Sequence, residues 1–105
     1  METMERVDDK EEILSYLRSQ KEHLRRRYHV RAIALIGSFA RGAQGDQSDI
    51  DFLVDLEETT PDIYRVKRDL RAELERRFGR PVEIASMRYL KPYCREQVLR
   101  EAIYA

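Results

Sequence analysis

The stretch from Gly37 to Val54 reads GSFARGAQGDQSDIDFLV and joins two apolar runs through a polar loop. Ahead of it, Val30 to Ile36 (VRAIALI) is short, rich in branched residues and stopped by Gly37, which predicts a central strand. Phe39 to Gly42 has room for at most one helical turn, and Ala43 to Ser48, with Gly45 and Asp46, predicts a flexible loop. Asp49 to Leu56 then alternates: Ile50, Phe52, Val54 and Leu56 take one face of a second strand, and Asp49, Asp51, Leu53 and Asp55 take the other. Side chains two apart on a strand share a face about 6–7 Å apart, so Asp49 and Asp51 present two carboxylates side by side.

Working outward, Asp8 or Asp9 can cap a first helix, with Glu11 or Glu12 three residues on. Ile13, Leu17, Leu24 and Tyr28, flanked by Leu14, form its apolar stripe and predict one helix to about Tyr28. Thr60-Pro61-Asp62 supplies a capping hydroxyl and a first-turn proline for a second long helix. Ile63, Val66, Leu70, Leu74 and Phe78 are its stripe, and Gly79 its left-handed stop. Pro81 to Ala85 is a third strand, with Glu83 on the face opposite Val82 and Ile84. Ser86 to Leu90 connects it to a last helix from Pro92 to about Ile103. If the apolar faces of the second and third strands pack on the helices, Asp49, Asp51 and Glu83 emerge together on the other side. The expectation is an α+β fold over residues 1–105 as one domain. A small mixed sheet would carry helices on one face and a catalytic carboxylate cluster on the other.

The residue types suggest the chemistry. Two hard oxygen donors suit Mg²⁺, which is usually held by one or two protein carboxylates plus substrate phosphates. A Gly-Ser turn entering a short helix offers backbone N–H groups and a hydroxyl to a phosphate. Together they point to nucleotidyl transfer, in which positioning and charge neutralisation do most of the work. Clustered carboxylates repel one another, so at least one carboxyl is expected to hold its proton more tightly until a cation arrives. Gly37 permits close backbone approach, Ser38 can donate to a phosphate, and Arg41 can pair with a triphosphate or with Asp46. Gly42 serves the turn, and Ser48 can order the loop through local bonding.

The pattern G-S-x-A-R-G, a loop, then S-D-x-D-x-x-V resembles the signature of the polymerase β-type nucleotidyltransferase superfamily. At this length it resembles the minimal nucleotidyltransferases, or MNT proteins. The matching residues are Gly37, Ser38, Ala40, Arg41, Gly42, Ser48, Asp49, Asp51 and Val54. The segment from Gly79 to Ile84 is similar to the family's third-carboxylate strand, and Leu90-Lys91-Pro92 to Tyr104 to its usual ending. The resemblance implies that Gly37, Ser38, Arg41, Gly42 and Ser48 bind the nucleotide, ATP. It implies two Mg²⁺ ions, for which Mn²⁺ can substitute, held by Asp49, Asp51 and Glu83. These three acids are the catalytic set, with Glu83 either base or ligand only; many members have aspartate at its position. It further implies a HEPN-domain toxin as partner, with this chain as antitoxin transferring AMP to a hydroxyl of that toxin.

Composition narrows the choice. The chain has 105 residues, 38% of them charged, yet twenty basic and twenty acidic residues cancel. Net neutrality argues against a domain that binds long nucleic acid unaided. Arg25-Arg26-Arg27 and Arg76-Arg77 are expected to be solvated helix faces paired with nearby acids. Cys94 is the only cysteine, which excludes an intramolecular disulfide and a thiolate metal site; His23 and His29 are expected on the surface. No apolar run approaches the ~20 residues of a membrane span, and the N-terminus lacks signal-peptide character, so the cytoplasm is the expected location.

Two other functions fit the residues: transfer to a small hydroxylated compound, for which a homodimer could build a shared cleft, and a catalytically idle module that neutralises its partner by contact. Tyr89, Tyr93, Val98, Ile103 and Tyr104 carry more apolar and aromatic area than one short helix needs. Part of that area is expected to support self-association or to bind the partner.

Overall fold

The computed structural model describes residues 6–105. Two short helices come first, α1 (Lys10–Ser19) and α2 (Lys21–Tyr28). Asp9 caps α1, its carboxylate accepting from the Glu11 amide at 3.0 Å. The single helix expected to Tyr28 is broken at Gln20, whose backbone (φ −110°, ψ 15°) leaves the helical region. The stripe explains the break. Its next rung after Leu17 falls at Gln20 and Lys21, where no apolar side chain holds the helix to the core, and packing resumes at Leu24 and Tyr28. α2 ends on His29 in the left-handed region at φ 61°, a conformation in which histidine is enriched.

The sheet has β1 (Val30–Ile36), β2 (Ile50–Leu56), β3 (Val82–Ser86) and β4 (Ile103–Tyr104) in the order β3-β2-β1-β4. β1 is antiparallel to β2 and β4, and β2 is parallel to β3. The short helix α3 (Gly37–Arg41) follows β1, α4 (Ile63–Phe78) links β2 to β3, and α5 (Pro92–Glu101) precedes β4. The second and third strands thus start one residue later than expected. The connector contains a 3₁₀ turn at Met87–Tyr89. The last helix stops at Glu101 because the chain from Ile103 pairs with Leu35 and Ala34 of β1. The expected helix ran on to about Ile103 because a two-residue strand has no period to read.

The helix α4 starts at Ile63 behind Asp62 (φ 47°), without a side-chain cap. The expected cap, Thr60, turns its hydroxyl back to the Glu57 carbonyl at 2.5 Å and closes a local turn instead. At the other end Gly79 (φ 68°) stops the helix as expected, its amide bonding the Glu75 carbonyl at 2.9 Å. Leu70, Leu74 and Phe78 of α4 meet Ile13, Leu17 and Leu24 and the sheet residues Leu35, Ile50, Phe52 and Val54 in one core. Phe78 stands between Tyr16 and Phe52, with ring centroids 5.4 and 6.1 Å away. Each such side chain contributes about 1.5–3 kcal/mol by burial.

The alternation read for β2 holds, but the opposite face is not bare. Leu53 and its register partner Ala34 are nearly inaccessible, 1% and 0% exposed, although they lie outside the main core cluster. The 3₁₀ turn packs against β2 and α5 against α3. No helix among the described residues is long and apolar enough to cross a membrane.

Candidate active site

Register sets two of the predicted acids side by side. Asp51 of β2 faces Glu83 of β3 directly across the parallel pair, and Ile36 of β1 on the other side. Gly37 follows Ile36 and therefore lands against the Asp51 side chain. A Cβ on Gly37 would collide with Oδ2 of Asp51 and lie 3.1 Å from its Cβ and Cγ. The φ of +74° disfavours an L side chain as well. The glycine is thus required twice, by its conformation and by the carboxylate beside it.

Asp51 is half-buried, while Asp49 and Glu83 are exposed. Burial is the main cause that pushes the Asp51 carboxyl above its ordinary range; repulsion from Asp49 and Glu83 adds to it, and the Arg41 charge partly offsets it. A carboxyl raised beside neighbouring acids is the effect the sequence suggests, although burial contributes most to it. As the side chains stand, no group of three His, Cys, Asp or Glu among the described residues is gathered closely enough to cage a metal ion. The donor set nevertheless fits Mg²⁺, which needs one or two carboxylates and takes its remaining ligands from phosphate and water. A cation there would also relieve the repulsion at Asp51.

The remaining predicted residues separate into those near the acids and those that build the loop. The Ser38 side chain is half-buried beside Gly37, and its hydroxyl makes no hydrogen bond among the described residues. Its carbonyl takes the Ala43 amide at 2.9 Å, closing α3 together with Gly42 (φ 72°). A Cβ on Gly42 would meet nothing within 4 Å, so that glycine serves the turn alone. Arg41 does not pair with Asp46; it reaches Glu101 of α5 at 3.3 Å. The Ser48 hydroxyl accepts from the Gly45 amide at 2.8 Å, an ordering role within the loop. Asp55 lies further along the strand and pairs with Arg31 at 3.0 Å.

One residue of the site was not singled out from the sequence. Arg80 is 4% exposed and gathers the loop that carries Ser48 and Asp49. Its Nη1 donates to the carbonyls of Gly45, Asp46 and Ser48 at 3.1, 3.3 and 3.0 Å. Its Nε donates to the Val7 carbonyl at 2.6 Å, and its Nη2 to Asp8 at 2.7 Å. The guanidinium also lies over the Phe39 ring, 5.0 Å from the centroid. Arginine alone has the planar fork of donors for this many acceptors. The available signal was a lone cation between the helix stop Gly79 and Pro81, where a solvated residue is the ordinary expectation.

Comparison with known proteins identifies the family. The family model for the nucleotidyltransferase domain matches residues 17–105. A protein adenylyltransferase of Thermococcus cleftensis is 39% identical over 94 residues, covering 90% of this chain and 93% of that protein. A solved structure described provisionally as a minimal nucleotidyltransferase is 38% identical, with a TM-score of 0.75 over 91% of this chain and 95% of that one. A crystal structure of a toxin–antitoxin with AMP-PNP shares the fold at 24% identity, TM-score 0.65, over 82% of this chain and 69% of that one. A register that sets Asp51 against Glu83 under Gly37 and a family match over most of the chain lead to one conclusion: the protein belongs to the nucleotidyltransferase domain family, as an enzyme of the minimal, MNT type.

Proposed function

We propose that the chain transfers AMP from ATP to a hydroxyl group of a partner protein in an Mg²⁺-dependent reaction, and that it thereby acts as antitoxin to a HEPN-type toxin. The observation that carries this reading is the cross-strand pair of Asp51 and Glu83 beneath the close approach of Gly37. In support, the Thermococcus cleftensis relative is named a protein adenylyltransferase, and a protein of the same fold was solved in a toxin–antitoxin with AMP-PNP.

Asp49 and Asp51 would hold the ions and Glu83 would complete the set on the acceptor side. When bound, Mg²⁺ supplies charge neutralisation and lowers the pKa of the attacking hydroxyl. The chain's own residues do the rest. Gly37 lets the backbone come close to the triphosphate, and the unengaged Ser38 hydroxyl donates to it. Arg41, beside Asp51 and held by Glu101, adds positive charge at the same end. Ser48, Gly42 and Arg80 fix the loop so that Asp49 enters β2 in place. The acceptor oxygen forms a bond to the α-phosphorus while the bond to the β-phosphate oxygen breaks. Pyrophosphate leaves, and Glu83 takes the acceptor proton.

The test is transfer from ATP labelled at the α-phosphate to the protein that co-purifies with this chain, followed by mass analysis of both. A gain of one or more AMP units on the partner is expected, and none with Asp49→Asn/Asp51→Asn. Glu83→Gln should transfer at least about a hundredfold more slowly while still binding nucleotide, the scale of lost general-base catalysis. Label on the partner at an undiminished rate in the double variant would refute the assignment of the site.

A further inference from the structure

Beyond Glu83 the sheet ends, since β3 is an edge strand. Between that edge and α4 lies a cleft of about 240 Å³ lined by Tyr64, Lys67, Arg68, Arg71, Glu83 and Ile84. Positions 64, 67, 68 and 71 follow the i, i+3, i+4, i+7 spacing of a single helix face. Three cations on that stripe stand out in a chain whose charges cancel. Arg68 touches its helix neighbour Asp69 at 3.4 Å, whereas Lys67 and Arg71 make no ion pair among the described residues. Burial pushes the Lys67 ammonium below its ordinary range, which leaves it a desolvated cation that an incoming anion would stabilise. Tyr64, 84% exposed, stands at the rim with an apolar body and a polar tip.

The strand edge adds a second feature. The Val82 amide donates to the Glu75 side chain at 3.0 Å, so it faces away from β2. Backbone direction alternates along a strand, which turns the Ile84 amide and carbonyl outward into the cleft as well. An extended peptide can pair with such an edge; a nucleic acid backbone cannot. The cleft also lies on the opposite side of Glu83 from Gly37 and Ser38, which are two strands away, roughly 10 Å. It is therefore placed for the acceptor and not for the triphosphate.

We infer that the cleft between α4 and the edge of β3 docks an acidic, extended segment of the acceptor protein, with Lys67, Arg68 and Arg71 as its specificity-determining contacts. The word acceptor rests on the nucleotidyl-transfer reading; binding of an acidic peptide does not. The test uses fluorescence anisotropy with a labelled peptide of glutamates around one tyrosine, the same peptide with lysines, and an oligouridylate. The acidic peptide should bind the wild type best. Lys67→Ala/Arg68→Ala/Arg71→Ala should weaken it about tenfold or more, the scale of three lost ion pairs. Arg25→Ala/Arg26→Ala/Arg27→Ala makes the same change in net charge elsewhere and should leave binding unaltered. If the first triple variant fails to fold, Arg68→Glu/Arg71→Glu, at two exposed positions, gives the same readout. No binding of the acidic peptide, equal weakening by both triple variants, or tighter binding of oligouridylate overturns the inference. Stabilisation of the wild type by Mg²⁺ with ATP is measured separately. Its absence would sink the nucleotidyl-transfer reading while the peptide result still decides the cleft.

Discussion

Asp51→Asn should make the protein more stable and at the same time deaf to its nucleotide. The folded Asp51 carboxyl binds its proton more tightly than the ordinary value of 3.8, chiefly through burial and then through Asp49 and Glu83. A raised folded value means that the proton's stabilising contribution is complete below the unfolded pKa and is lost as pH rises through the folded one. At pH 7 the wild type has lost it, whereas asparagine is neutral at every pH. Like charges on neighbouring sheet positions cost about 0.2–1 kcal/mol each. Removing two such contacts and forfeiting the Arg41 attraction leaves a net gain of about 0.3–1.5 kcal/mol. For a domain of this size that is roughly 2–8 °C in Tm. Mg²⁺ with ATP at a hundred times Kd should add about 2.7 kcal/mol to the wild type and nothing to the variant. Scanning calorimetry at pH 7, with and without Mg²⁺ and ATP, reads both quantities. Below pH 4 the advantage of the apo variant should shrink. A lower apo Tm in the variant would show that Asp51 is not under charge strain, and a retained ligand shift would place the metal elsewhere.

Three further perturbations separate the parts of the site. Gly37→Ala and Gly42→Ala both place a side chain at positive φ, but only the first collides with Asp51. Urea denaturation should therefore show a loss of about 2–4 kcal/mol for Gly37→Ala and about 1 kcal/mol for Gly42→Ala, and equal losses would dismiss the contact. Arg80→Met strands the carbonyls of Val7 and Ser48, takes one of two donors from those of Gly45 and Asp46, and should cost about 2–5 kcal/mol. Arg80→Lys should recover less than half of that, and limited proteolysis should find the 43–48 loop opened in both. The Tyr28 hydroxyl is pushed up from 10.0 to about 12, by burial first and then by its bond to Glu73 at 2.6 Å. Its contribution is complete below pH 10 and lost as pH rises toward 12. Tyr28→Phe should accordingly cost about 1 kcal/mol at pH 9, with the gap to wild type closing by pH 12 in urea titrations.

Much of this architecture is written locally. The strand Val30–Ile36 and the alternation from Ile50 onward needed only branched residues and a period of two. The stripe from Ile63 to Phe78 needed only a period of 3.6 and a terminal glycine. The break at Gln20 was missed because the stripe on either side keeps phase, and a missing rung shows only against a core. Thr60 carried a valid capping signal, but its hydroxyl had a nearer acceptor at Glu57, and sequence does not rank two partners of one donor.

At the site the division has the same cause. The sequence by itself marked which side chains are the candidates for the chemistry, because a period of two carried back from Ile50–Leu56 sets Asp49 on the face of Asp51. It also marked Gly37, since a glycine ending an apolar run before a serine already implies close approach. Only the tertiary structure decided that Asp51 pairs in register with Glu83, thirty-two positions away, and that the Gly37 backbone presses on that carboxylate. It alone turned Arg80 from a surface cation into the buried clamp of the loop, sent Arg41 to Glu101, and set three cations of α4 along the sheet edge beside Glu83. These are contacts between residues far apart in the chain. No local period encodes them, and they are chosen when the whole core closes and each buried polar group must find a partner.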